Sequence, residues 1–140
     1  MNRPAMNLGQ WAEQQALKLA ELQGYALVQA NYHSPYGEID LIVQRGQELL
    51  LIEVKARSRT AYAQAAESVS VHKQRKMLKT ALHFFSARPE LQQHDWRFDV
   101  ICFDFYQRFA KSIQQDFSNF TYDQQWIENA FTFDQEFINL

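Results

Sequence analysis

Two apolar runs separated by Gly46-Gln47 constrain this chain more than any other feature. The first is Ile39-Asp40-Leu41-Ile42-Val43, and the second is Leu49-Leu50-Leu51-Ile52-Glu53-Val54-Lys55. A Gly-X pair in a two-residue loop suits a type II′ hairpin turn, whose first central residue needs a positive φ. With that loop Arg45 faces Glu48, Val43 faces Leu50, Leu41 faces Ile52 and Ile39 faces Val54. The last three pairs then form one apolar face, and a slip of one residue would turn all six outward. On the opposite face the same count sets Asp40 against Glu53 and Glu38 against Lys55. Carboxylates directly opposed in a hairpin have β-carbons about 4.5–5.5 Å apart and repel each other. A hard divalent cation held by both would relieve that repulsion.

Side chains on a strand alternate, so Glu53 and Lys55 point one way while Val54 goes to the core. An ammonium beside a metal-bound water can orient it, lower its pKa or stabilise charge developing on a phosphate. Two carboxylates and a lysine in this arrangement suit a metal-dependent phosphodiesterase. The plainer alternative is a surface ion-pair ladder of Glu38 with Lys55, leaving Asp40 and Glu53 solvated. Neutralising Asp40 or Glu53 is expected to leave stability equal or slightly higher, through relief of repulsion.

Gly37-Glu38-Ile39-Asp40-Leu41-Ile42 followed by Ile52-Glu53-Val54-Lys55-Ala56-Arg57 resembles the YraN-like family of predicted nucleases. The likeness covers most of residues 8–103. It takes in Gly9 and Glu13, Gly24-Tyr25, Asn31, Lys73 and Arg97-Phe98-Asp99-Val100, with a shorter echo at Trp126-Ile127-Glu128-Asn129-Ala130-Phe131. That family is assigned to the restriction-endonuclease-like, or PD-(D/E)xK, superfamily, beside archaeal Holliday-junction resolvases. The chain departs from the family pattern at Ala12, at His33-Ser34-Pro35-Tyr36 and in 58–66, which lack a second helix-one glycine, a basic residue and a glycine respectively. The resemblance implies an α/β restriction-endonuclease-like fold, with a mixed central sheet flanked by helices and a divalent-metal site at one edge. It also makes Glu13 a third acidic member of the site and Lys73 a contact of the nucleic acid.

At 140 residues the chain has the size of a single domain, with a nuclease-like core over about 8–105 and an aromatic-rich extension over 106–140. No apolar run is long enough to span a bilayer, so no membrane partner is expected. The single cysteine, Cys102, lies in an apolar strand pattern and makes the cytoplasm the expected compartment. The net charge of −2 hides an uneven distribution. Residues 55–88 hold eight Lys/Arg against Glu67, while every other part of the chain is acidic. A basic zone beside an acidic cluster suits a phosphate backbone drawn towards a metal.

Residues 8–23 read as an amphipathic helix capped by Asn7 and stopped by Gly24. Its face of Glu13, Ala16, Leu17 and Ala20 sets a carboxylate among apolar residues. A strand is expected over 25–32, the hairpin over 38–57 and a substrate-side loop over 58–66. Ser70 caps a second helix, 71–88, with Val71, Leu78, Ala81, Leu82 and Phe85 as its core stripe and Lys73, Lys76 and Lys79 as a basic face. Residues 96–105 fit a buried interior strand in which Arg97 and Asp99 share a face and can pair. The tail is expected to add a strand or helix to the domain or across a homodimer contact.

These readings lead to a metal-dependent nuclease acting on DNA, branched or structured DNA included, with Asp40, Glu53 and Glu13 as ligands of Mg²⁺ or Mn²⁺. Lys55 would act on the attacking water, and Arg57, Lys73 and Lys76 would bind the nucleic acid. A non-catalytic nucleic-acid-binding or interaction module is the alternative from another class. The residues do not separate DNA from RNA.

Overall fold

A computed structural model describes residues 5–58, 69–109 and 113–133. Helix α1, Leu8–Leu22, starts with a capping box in which Asn7 and Gln10 exchange side-chain and backbone hydrogen bonds. It ends before Gly24, whose φ of 89° gives the left-handed stop. Strands β1 (Ala26–Ser34), β2 (Gly37–Arg45) and β3 (Glu48–Ser58) follow as an antiparallel meander. Helix α2, Val71–Ala87, is capped by the Ser70 hydroxyl and carries the chain over to β4, Asp95–Phe105, which lies parallel to β3. Strand β5, Tyr122–Phe131, pairs antiparallel with β4 and completes a mixed sheet of order β1-β2-β3-β4-β5. The expected extra element of the tail is therefore a strand. The expected loop over 58–66 lies outside the described residues beyond Ser58.

Both faces of the sheet are covered. Trp11, Ala12, Ala16 and Ala20 of α1 pack on Leu41, Val43, Leu50 and Ile52 and on Ile101, Phe103 and Phe105 of β4. The buried stripe of α1 is centred one residue before the expected one, which leaves Glu13 half-buried at its border. Met77, Leu78, Ala81, Phe84 and Phe85 of α2 pack on Ile42, Leu49 and Leu51. Val71, expected in the core stripe, is 62% exposed at the first helical position, and Met77 and Phe84 fill the face instead.

The hairpin turn has positive φ at Gly46 alone, 58°, as a type II′ turn requires. The expected pairs form from Arg45 opposite Glu48 to Leu41 opposite Ile52. There the ladder stops. Ile39 packs with Ile42, Leu49 and α2, on the face opposite Leu41, so the expected six-residue face loses one member. Asn31 sits across β1 from this point with a φ of 51°, and a left-handed residue interrupts regular alternation.

The second irregularity lies between β4 and β5, where pairing shifts between Phe98 and Val100 and Asn129 has a φ of 49°. Asp99, fully buried, takes the consequence. Its Oδ1 accepts from the Asn129 backbone N–H at 2.9 Å and from Arg97 Nε at 3.0 Å, and its Oδ2 accepts from Trp126 Nε1 at 2.8 Å and Arg97 Nη2 at 3.3 Å. The Arg97–Asp99 pairing expected from sequence is thus the clamp that joins the 97–100 motif to the 126–131 echo. Arg97 keeps Glu48 at 3.2 Å, but Asp99→Ala strips the Trp126 Nε1–H and the Asn129 N–H of their acceptor, so it should destabilise by about 2–3 kcal/mol in denaturant unfolding. A loss below about 1 kcal/mol would show that β5 is held mainly by its apolar contacts.

Candidate metal and phosphate site

Beyond Leu41 and Ile52 the two central strands part. The end of β2 pairs only with β1, and β3 runs on to Ser58 paired only with β4. The separation leaves the Val54 N–H without a strand partner, and Asp40 Oδ2 accepts from it at 2.8 Å. Asp40 therefore sits in the crotch of a strand fork rather than in a ladder pair with Glu53. Its carboxyl group still lies within hydrogen-bonding reach of Glu53. Burial, then the charge of Glu53, push the Asp40 pKa up to about 7, against the pull of the Val54 N–H.

Glu53 is buried on the α2 side of the sheet. Its Oε1 accepts from Lys73 Nζ at 2.6 Å and lies 3.5 Å from Lys55 Nζ. Burial pulls the Lys55 pKa below its ordinary value, and the Lys73 charge adds to this while Glu53 opposes it. At Lys73 burial acts in the same direction, but the hydrogen bond and charge of Glu53 outweigh it and the pKa is raised. The two lysines thus divide their work. Lys73 carries the firm ion pair, and Lys55 is the more readily deprotonated neighbour.

Glu13 approaches from α1. It accepts from Asn31 Nδ2 at 3.3 Å, and burial first, then the charges of Glu38 and Glu53, raise its pKa. Among the described residues no three side chains of the His, Cys, Asp or Glu type cluster closely enough for one ion. Asp40 and Glu53 are the pair brought together, with Glu13 beside them. The expected Glu38–Lys55 bridge does not form, because the strands have parted. Glu38 pairs with His33 Nδ1 at 3.2 Å instead. Arg57 lies 3.5 Å from Asp104 on the neighbouring strand, and Lys76 is exposed on α2. Burial pushes the Cys102 thiol up to about 11, which removes it as a neutral-pH nucleophile.

The donor set fits a hard divalent cation. Two carboxyl groups are brought together beside Glu13, and the Val54 carbonyl belongs to the residue next to Glu53 on the same strand. Mg²⁺ is commonly bound by one or two carboxylates with waters and substrate phosphate completing its shell. Direct pairing of Lys73 with Glu53 was not legible from strand periodicity. Its sequence signals are the place of Lys73 in the motifs of the family resemblance and its position in the first turn after the Ser70 cap.

Fold and site define an α/β protein with a five-stranded mixed sheet and a paired carboxylate–lysine cluster at a strand fork. The chain belongs to the UPF0102 family, described as an uncharacterised protein family, whose pattern matches residues 12–103 and so contains every candidate site residue. It is 59% identical over 130 residues to a UPF0102 protein of Acinetobacter baumannii (strain AYE), covering 93% of this chain and 98% of that one. A UPF0102 protein of Acinetobacter baylyi is 56% identical over 128 residues, 91% of each chain. One from Alcanivorax borkumensis is 36% identical over 129 residues, 92% of this chain and 94% of its own.

The two carboxylates should respond differently to neutralisation, contrary to the symmetric expectation from sequence. Asp40→Asn keeps an acceptor for the Val54 N–H and should match or exceed wild-type stability above pH 7. Glu53→Gln strips Lys73 of its partner and should cost about 1 kcal/mol or more. Native Asp40 holds its proton up to about pH 7, whereas its ordinary pKa is 3.8. The native state therefore binds more protons between those values, and wild-type stability relative to Asp40→Asn should fall as pH rises from about 4 to about 7. Thermal unfolding of the three proteins across that range checks both points, and a flat difference between wild type and Asp40→Asn would contradict the raised pKa.

Proposed function

We propose that this protein is a metal-dependent nuclease that hydrolyses phosphodiester bonds in DNA, with the restriction-endonuclease-like fold implied by its motifs. The observation that carries the reading is the Asp40–Glu53 pair at the fork, with Lys55 on the same strand as Glu53 and one carboxyl titrating near neutral pH. Asp40 and Glu53, with the Val54 carbonyl, would hold Mg²⁺ or Mn²⁺. The cation, when bound, supplies charge neutralisation for the phosphate and a lowered pKa for water.

The protein's own residues do the rest. Asp40 must give up its proton to serve as a ligand, so activity should rise with pH towards about 7. Lys73 holds Glu53 in place through its 2.6 Å contact. Lys55, with a lowered pKa beside Glu53, orients the attacking water and stabilises negative charge developing on the phosphorus oxygens. Water oxygen forms the new P–O bond and gives its proton to solvent, the bond to the leaving sugar oxygen breaks, and that oxygen takes a proton from solvent to become a hydroxyl.

A non-catalytic nucleic-acid-binding module remains the second reading, because Lys73 and Lys55 already neutralise Glu53 without a cation. Cleavage of linear, flapped and four-way DNA with Mg²⁺, Mn²⁺ or chelator separates the two. Wild type should cleave at least one substrate with metal only, and Asp40→Asn should be inactive. Lys55→Met should lower the rate by roughly 10²–10⁴-fold with little change in DNA affinity. Cleavage by Lys55→Met at the wild-type rate would remove the lysine from catalysis. No cleavage by wild type on any substrate would transfer the assignment to the binding module.

A further inference from the structure

A groove of about 760 Å³ runs along the outer side of α2 beneath the β1–β2 turn, lined by Tyr36, Arg75, Leu78, Lys79, Leu82 and His83 among others. We propose that it takes an unpaired nucleotide of a DNA single strand, with the base stacked on Tyr36 and the flanking phosphates on Lys79 and Arg75. This inference rests on the nuclease reading only for the role of the neighbouring Asp40–Glu53 site.

Three observations support the assignment. The groove combines an apolar floor, Leu78 and Leu82, with a rim of basic side chains, which is the chemistry of a base with its phosphates. Tyr36 is 49% exposed, yet its turn is fixed. Ser34 Oγ accepts from the Tyr36 N–H at 3.1 Å and lies 2.9 Å from Thr80 Oγ1 of α2, and Thr80 in turn donates to the Lys76 carbonyl. Gly37 packs against α2, where an added Cβ would make ordinary contact at 3.6 Å with Lys76 Cβ and Thr80 Oγ1. An exposed aromatic side chain on a fixed turn has only its own rotamers to lose on stacking. Lys79 Nζ lies 5.9 Å from the centroid of that ring, so a cation already borders the stacking face.

Lys73, on Glu53, and Lys79, on Tyr36, are on one helix and separated by about 9 Å of axial rise. A few nucleotides span that distance, since an unpaired strand is at least as extended as the about 3.4 Å per nucleotide of a duplex strand. Unpaired DNA seated at Tyr36 would therefore continue towards Asp40 and Glu53, which favours flapped or branched substrates over uninterrupted duplex.

Binding in chelator tests this without cleavage. Fluorescence anisotropy is measured with a short labelled oligothymidylate and with a blunt duplex of the same length, at several salt concentrations. Wild type should bind the single strand more tightly. Tyr36→Ala should lose at least about fivefold of that affinity and keep its duplex affinity, while Tyr36→Phe should bind like wild type. Lys79→Gln should weaken the single-strand complex and flatten its salt dependence by about one counterion. Unchanged single-strand affinity in Tyr36→Ala, equal losses on both DNAs, or no single-strand binding by wild type would overturn the proposal. If Tyr36→Ala behaves as expected but wild type cleaves nothing, the nuclease reading falls and the subsite stands. If cleavage depends on Asp40 while Tyr36→Ala binds the single strand normally, the subsite alone falls.

Discussion

The end of the β2–β3 ladder at Leu41 and Ile52 is the constraint on which the rest of the site depends. Paired strands would have satisfied the Val54 N–H with a carbonyl and held the carboxylates in a solvated row. Parting leaves that N–H to the Asp40 side chain and draws both carboxyl groups into a half-closed space between the two layers of helices. A buried N–H must find an acceptor, and an aspartate that supplies one is fixed in orientation. The same solution recurs at the β4–β5 bulge, where Asp99 takes the Asn129 N–H. The two cases differ in charge balance. Asp99 is matched by Arg97 in a bidentate pair, whereas Asp40 meets another carboxylate and keeps a proton near neutral pH.

Much of the framework was legible in the sequence because local chemistry specified it. Gly46-Gln47 set the turn and the register of the pairs nearest to it. Asn7 and Ser70 marked the helix starts, and the apolar run at 96–105 marked a strand covered on both faces. The missed features are those that local pattern does not encode. Counting by twos from the turn assumes an uninterrupted ladder, and neither the left-handed Asn31 nor the fork interrupts the apolar pattern of Ile39-Asp40-Leu41. Ile39 therefore went to the wrong face, and Glu38 was matched with Lys55 instead of His33. Hydrophobicity alone places Val71 in the core, whereas the first helical position leaves it exposed.

Candidate site residues separated along similar lines. Asp40, Glu53 and Lys55 meet because β2 and β3 are neighbours, a relation that the hairpin signal contains. Lys73 joins them across a helix–sheet interface, which no spacing within α2 could reveal. The basic excess of residues 55–88 acquires a direction from the fold. Part of it pairs with Glu53 and Asp104, and Arg75 and Lys79 border the groove along α2. An acidic centre approached by a cationic helix is an electrostatic path for a phosphate chain even on a protein of net charge −2.

Titration of the Asp40 carboxyl carbon by NMR, with and without Mg²⁺, tests the central claim most directly. Without metal the account predicts an apparent pKa of about 7, raised by burial first and then by the charge of Glu53. With saturating Mg²⁺ the value should drop below the ordinary range for aspartate, because the cation favours the ionised form. An apparent pKa near the ordinary 3.8 without metal would contradict the electrostatic account of the fork. A value that stays at about 7 in Mg²⁺ would show that the paired carboxylates do not hold the ion.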